Sequence, residues 1–127
     1  MRRGSVARAV IVVAGCVLTA AMLAGQQPAP AAFTAPQATA GAAVYTEACA
    51  ACHQPDLGGL NEAPQLAGND FMNRWRARTT RELFELIAGT MPPPGTSLSV
   101  DEAANVTAYL LRENGATAGT AALGQAA

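Results

Sequence analysis

Cys49-Ala50-Ala51-Cys52-His53 combines side-chain types and spacing into a definite chemistry. Two thiols separated by two residues stand at the end of a helical turn. Each can add to one of two vinyl groups on the same porphyrin edge. The imidazole of the next residue then lies beneath the ring, where a nitrogen reaches the iron, and Cys-x-x-Cys-His is the spacing of covalent haem attachment. The same residues admit rival chemistries. A thioredoxin-like pair would use this Cys-x-x-Cys but belongs in a βαβ context, and no convincing strand surrounds it. A structural zinc ion takes four ligands. Beyond the first 27 residues the chain offers only two Cys and one His, so zinc would have to recruit a carboxylate.

His53 is the only histidine of the 127 residues, which excludes a second histidine from this chain on the other face of an iron. A thioether, a weaker group or an open position is left. Met1 and Met22 fall in the N-terminal leader, leaving Met72 and Met91. Met72 lies in Asn69–Trp75 and reads as the packing residue of a short helix. Met91 opens Met-Pro-Pro-Pro-Gly95, where three prolines remove donors and fix the backbone, so neither helix nor central strand can form. A stiff loop of that kind presents a thioether at a fixed place. Met91 is therefore the expected second ligand, against the plainer alternative of a core-filling methionine.

The elements that must position these groups occupy only part of the chain. Arg2, Arg3 and Arg8 precede an uncharged apolar run, Ala9–Gly25, so residues 1–27 read as a signal peptide or an N-terminal anchor. Val13-Ala14-Gly15-Cys16 allows a third fate, lipidation at Cys16. Residues 28–38 read as an Ala/Pro linker and residues 116–127 as a flexible tail. The expected domain is 39–115, about 80 residues, with a core too thin to stand without a staple or a large apolar cofactor. Past the leader, five Arg face nine Asp and Glu, and Lys is absent throughout. Such an acidic domain without a basic stripe is not a nucleic-acid binder.

Helix signals are local and strong. Thr79-x-x-Glu82 is a capping box followed by Leu83, Phe84, Leu86 and Ile87, with Gly89 as a stop. Ser99-x-x-Glu102 is another, followed by Ala103, Val106, Tyr109 and Leu110 and ended by Asn114-Gly115. A first helix is expected over about Ala40 to Ala50, with Val44 and Ala48 on one face. A short helical piece at Asn69–Trp75 completes an all-α reading.

Taken in order, these features resemble the class I c-type cytochromes, in particular small monohaem domains associated with quinoprotein dehydrogenases. The resemblance covers nearly all of residues 39–115. It rests on Gly41 and Tyr45 ahead of Cys49–His53, Ala63-Pro64-Gln65-Leu66-Ala67-Gly68 after it, Met91-Pro92, and Val106-Thr107-Ala108-Tyr109. It implies a cytochrome c fold, three main helices plus a short helix around one covalent haem c. First and last helices would cross closely at Gly41, Tyr45, Val106 and Tyr109. The carbonyl of Pro64 would accept a hydrogen bond from the His53 ring. Trp75 and Arg78, with Arg74 and Arg76 beside them, would approach the haem propionates. The basic docking ring common in the family is not visible, because Lys is absent.

The function implied is transfer of single electrons between periplasmic or membrane redox partners, with His53 and Met91 as axial ligands and no catalytic residue. A periplasmic dehydrogenase or a terminal oxidase would be the partner, and any membrane contact would run through the N-terminus. Two other classes stay open on sequence grounds: a haem sensor in which Met91 leaves the iron, and a redox-inactive structural subunit.

Overall fold

A computed structural model describes residues 33–93 and 97–124. The leader expected over residues 1–27 lies outside these. Five helices follow in chain order: α1 (Ala35–Ala48), α2 (Ala50–His53), α3 (Asn69–Trp75), α4 (Thr80–Thr90) and α5 (Val100–Glu113). Among the described residues there is no strand, only one isolated antiparallel bridge between Leu60 and Ala63. The fold is all-α, as expected, with three long helices and two short ones.

Both expected capping boxes form. The Thr79 and Ser99 hydroxyls accept from the N–H of Glu82 and Glu102, whose carboxylates accept in return from the Thr79 and Ser99 N–H, each at 2.7 Å. Hydrogen bonds from Thr79 and Ser99 hold both carboxyls below their usual range. Helix α4 runs through the expected stop at Gly89 to Thr90, and Met91 is its C-cap. Glycine lowers helix propensity without forbidding a helix, and here the turn closes through a bond from Met91 N–H to the Ile87 carbonyl.

The long helices α1 and α5 pack directly against each other. A Cβ on Gly41 would stand 1.9 Å from the Asn105 carbonyl oxygen and 2.9 Å from Tyr109 Cβ, so only glycine permits this approach. Beside it the Tyr45 and Tyr109 rings meet at 5.3 Å between centroids. The main core gathers Tyr45, Leu57, Phe71, Leu83, Ile87, Ala103, Val106 and Leu110.

The boundaries expected for the domain need correction at both ends. Helix α1 begins inside the expected linker, at Ala35, because Thr34 and Gln37 form a third capping box and Pro36 suits the first turn. The expected tail is packed as far as Leu123. Phe33 and Leu123, 0% and 3% exposed, close a second core over Ala38, Ala104 and Ala108. The Gln37 amide clasps the Leu123 backbone, donating to its carbonyl at 2.7 Å and accepting from its N–H at 2.8 Å. A bond from Gly119 N–H to the Phe33 carbonyl ties the two ends together.

Candidate functional site

The Cys-x-x-Cys-His segment is a short helical turn set against the end of α1. Cys49 joins α1 to α2: its N–H donates to the Tyr45 carbonyl, and its carbonyl accepts from the N–H of Cys52 and of His53. One turn thus turns Cys49, Cys52 and His53 toward the same cavity, of 330 Å³. Cys49 is half-buried and Cys52 exposed, and both are free thiols. Burial pushes the Cys49 thiol up, and Cys52 adds to the effect.

The chain must reverse directly after His53, and several contacts hold that reversal. Gln54, Leu57 and Asn61 all adopt positive φ, an uncommon backbone for residues other than glycine. The buried Tyr45 hydroxyl donates to the Gln54 carbonyl at 2.7 Å, and burial pushes its pKa well up. Gly59 N–H donates to the His53 carbonyl at 2.9 Å. Gly59 has φ +73°, and a Cβ there would come within 2.5 Å of the Ala63 carbonyl oxygen and 2.7 Å of Gln65 N. The glycine therefore lets segment 63–65 lie against the turn. That contact brings the Pro64 carbonyl to 2.8 Å from His53 Nδ1.

A carbonyl can only accept, so Nδ1 carries the proton and Nε2 presents its lone pair. His53 is 9% exposed, its Nε2 has no hydrogen-bond partner among the described residues, and it is not a sealed-in orphan.

Asn114 braces the far end of the same loop. Its side chain accepts from Gly68 N–H at 3.0 Å and donates to the carbonyls of Leu66 and Leu110 at 2.9 and 2.8 Å. Gly59 and Asn114 were not evident from sequence as site-shaping residues, since their partners are carbonyls and amides of distant loops. The Asn-Gly pair at 114–115 signals a helix end only.

A second cavity, of 520 Å³, adjoins the first, and His53, Pro64, Ile87 and Met91 line both. Together they form a cleft with His53 and Pro64 from one side of the chain and Met91, at the end of α4, from another. Leu83, Ile87, Val106 and Leu110 supply apolar wall. Trp75, Arg74 and Arg78 stand along the second cavity, with the Arg78 guanidinium 5.2 Å from the Trp75 ring centre. Met72 is 38% exposed and lines a separate cavity with Arg76, Thr79 and Ala116. Of the two available methionines, the structure brings only Met91 into the cleft of His53.

These residues fit a haem. The cavity sizes fall within the roughly 300–1,000 Å³ common for cofactor sites. Two adjacent thiols, an imidazole with its tautomer set, a thioether on a different element and an apolar lining meet in one place.

Comparisons with known proteins bear on the family of the chain. A family model described as "Cytochrome C oxidase, cbb3-type, subunit III" matches residues 36–110. Among solved structures the chain is similar to one in the crystal structure of the sulfane dehydrogenase SoxCD from Paracoccus pantotrophus. Sequence identity there is 24% and the TM-score 0.49, covering 74% of this chain and 59% of that one. The present chain thus spans less than two thirds of that protein's length. No curated protein matches the chain. The family match alone takes in more than half of the 127 residues and lies on an all-helical fold: the chain belongs to the cytochrome c family of cbb3-type oxidase subunit III and is a class I c-type cytochrome, of a kind that binds haem c covalently and transfers electrons with it.

Proposed function

We propose that this chain carries one haem c, held by Cys49 and Cys52 with His53 and Met91 as axial ligands, and passes single electrons between redox proteins outside the cytoplasm. The observation that carries this reading is the shared cleft, which Cys49, Cys52, His53 and Met91 all line. When bound, the haem iron supplies the one-electron couple.

The chain's own residues set the conditions. His53 donates from Nδ1 to Pro64, which fixes the ring and raises the basicity of Nε2. Met91 sits in extended backbone as the C-cap of α4, anchored by its N–H to the Ile87 carbonyl. Ile87, Val106 and Leu110 keep water from the interior. Trp75 and Arg78, stacked along the second cavity, would meet the propionates. A thioether opposite an imidazole raises the reduction potential relative to two nitrogen ligands. With His53 and Met91 both held on the iron, no substrate site would be left at the metal, which would favour outer-sphere electron transfer.

The partner belongs to the redox class, a periplasmic dehydrogenase or a terminal oxidase, and the encounter is brief, as is usual for small redox interfaces. Export is supported by the basic start and the apolar run Ala9–Gly25, both outside the described residues. No helix among the described residues is long and apolar enough to cross a membrane.

Intact mass and ferrous carbon monoxide binding test this together. The reading expects the mass of one haem added to exported protein, lost in Cys49→Ala/Cys52→Ala, and slow, incomplete carbon monoxide binding at neutral pH. Rapid, complete binding would put a ligand sensor in its place.

A further inference from the structure

Gln54, the residue directly after His53, holds φ 65° and ψ 151°. That region of backbone space is open to glycine and nearly closed to any residue with a Cβ. Such a conformation persists only where the surrounding structure over-determines it. The Gln54 side chain makes no hydrogen bond among the described residues, so the contacts that hold it act on the backbone.

The Gln54 carbonyl accepts from Leu57 N–H at 3.1 Å and from the Tyr45 hydroxyl at 2.7 Å. Next to it, the His53 carbonyl accepts from Gly59 N–H at 2.9 Å. Leu57 and Gly59 belong to the reversing loop itself and would move with it. Tyr45 would not. It lies in α1, is 2% exposed, and sets its ring against Tyr109 of α5 beside the Gly41 crossing. Its own carbonyl accepts from Cys49 N–H at 2.9 Å. One residue thus holds the attachment turn at both ends, by its main chain at Cys49 and by its hydroxyl just past His53.

The consequence reaches the His53 ring. From Gln54 the chain doubles back, so that Leu66 N–H donates to the Leu57 carbonyl and His53 Nδ1 donates to the Pro64 carbonyl, each at 2.8 Å. Relaxation of Gln54 to an ordinary backbone region would swing this loop and loosen the bond that orients the imidazole.

We propose that Tyr45 is a positioning residue for His53: its hydroxyl holds Gln54 in a glycine-like backbone and so keeps the Pro64 carbonyl on Nδ1. The ring alone serves the helix crossing; the hydroxyl serves the ligand. The inference rests on the reading of His53 as a haem ligand and adds the group that carries its orientation from the helix crossing.

The test follows exchange of the His53 Nδ1 proton for deuterium by NMR of the reduced holoprotein, together with the reduction potential. In Tyr45→Phe the proton should exchange about tenfold faster, the factor that one hydrogen bond of ordinary strength is worth. The potential should rise, because a loosened Nδ1 bond leaves a less basic ligand for ferric iron. Glycine takes this backbone without help, so Tyr45→Phe/Gln54→Gly should return both readouts to the wild-type values. Ser99→Ala, which weakens the fold at the cap of α5, should move neither.

Exchange and potential unchanged in Tyr45→Phe would overturn the proposal. So would changes that Gln54→Gly does not reverse, or that Ser99→Ala reproduces, since either would make the hydroxyl a general support of the fold. A chain that takes up no haem would instead overturn the ligand reading beneath it.

Discussion

Helix α5 packs two cores on two sides, and they are built differently. Toward the cleft, Ala103, Val106 and Leu110 meet large side chains from three other helices and the loop after α2: Tyr45, Leu57, Phe71, Leu83 and Ile87. Toward the termini, Ala104 and Ala108 offer small side chains on which Phe33, Ala38 and Leu123 close. The cleft-side core ends at cavities and carries the candidate ligands at its edge. The terminal core is sealed by the amide of Gln37 gripping the Leu123 backbone. One side of the helix shapes the candidate cofactor site; the other packs the two ends of the described chain together. Damage to the first should show in the haem, and damage to the second in stability alone.

The largest effect expected is from Cys49→Ala/Cys52→Ala. If the cleft-side core needs covalent haem to be complete, this protein should fail to accumulate folded, as judged by helical circular dichroism and a cooperative melt. An apoprotein that unfolds cooperatively would show that the terminal core and the α1–α5 crossing suffice.

Matched truncations come next. Phe33→Ala should cost about 3–5 kcal/mol and Leu110→Ala about 2–5 kcal/mol, the range for large buried side chains. Only Leu110→Ala should alter the haem absorption spectrum. Equal spectral changes in both would dissolve the division between the two cores.

Gly41→Ala sits where the cores share a backbone contact. A Cβ 1.9 Å from the Asn105 carbonyl oxygen must push α1 from α5, at about 1–3 kcal/mol for overpacking. A melting temperature equal to that of the wild type would mean that the crossing relaxes freely.

The smallest effect concerns both cores equally. Thr79→Ala removes an N-cap and should cost about 1 kcal/mol. Thr79 and Ser99 also hold Glu82 and Glu102 below the usual carboxylate value of 4.5. A carboxyl lowered in the folded state stabilises fully above its unfolded pKa, and that contribution disappears as pH falls through the folded value. The loss of stability below about pH 4.5 should therefore be shallower in Thr79→Ala/Ser99→Ala. Denaturant titrations at pH 7, 4.5 and 3 would read this, and parallel curves for variant and wild type would contradict it.

The asymmetry between the cores also decided what could be read from sequence. The cleft side was legible because its signals are local: Cys49–His53 within five residues, Thr79 with Glu82, Ser99 with Glu102, and Met91 ahead of three prolines. The close α1–α5 crossing at Gly41 and the His53–Pro64 bond followed the family pattern and are present. The terminal core was hidden by composition and distance. Residues 28–38 and 116–127 are poor in large apolar residues, and Phe33 meets Leu123 across some 90 positions. A Thr-x-x-Gln capping box at Thr34–Gln37 was available as a signal, and it would have moved the start of α1 to where it lies. Gly59 and Asn114 escaped for another reason. They act through backbone groups of a loop with three left-handed non-glycine residues, a conformation with no local sequence pattern.

In the proposed function Met91 would share one haem iron with His53. The most direct test is the absorption spectrum of the oxidised and reduced holoprotein, wild type beside Met91→Ala, following the weak long-wavelength band of a ferric iron–thioether bond. The band should be present in wild type and vanish in Met91→Ala while the haem stays covalently attached and the potential falls. An unchanged spectrum and potential in Met91→Ala would contradict it.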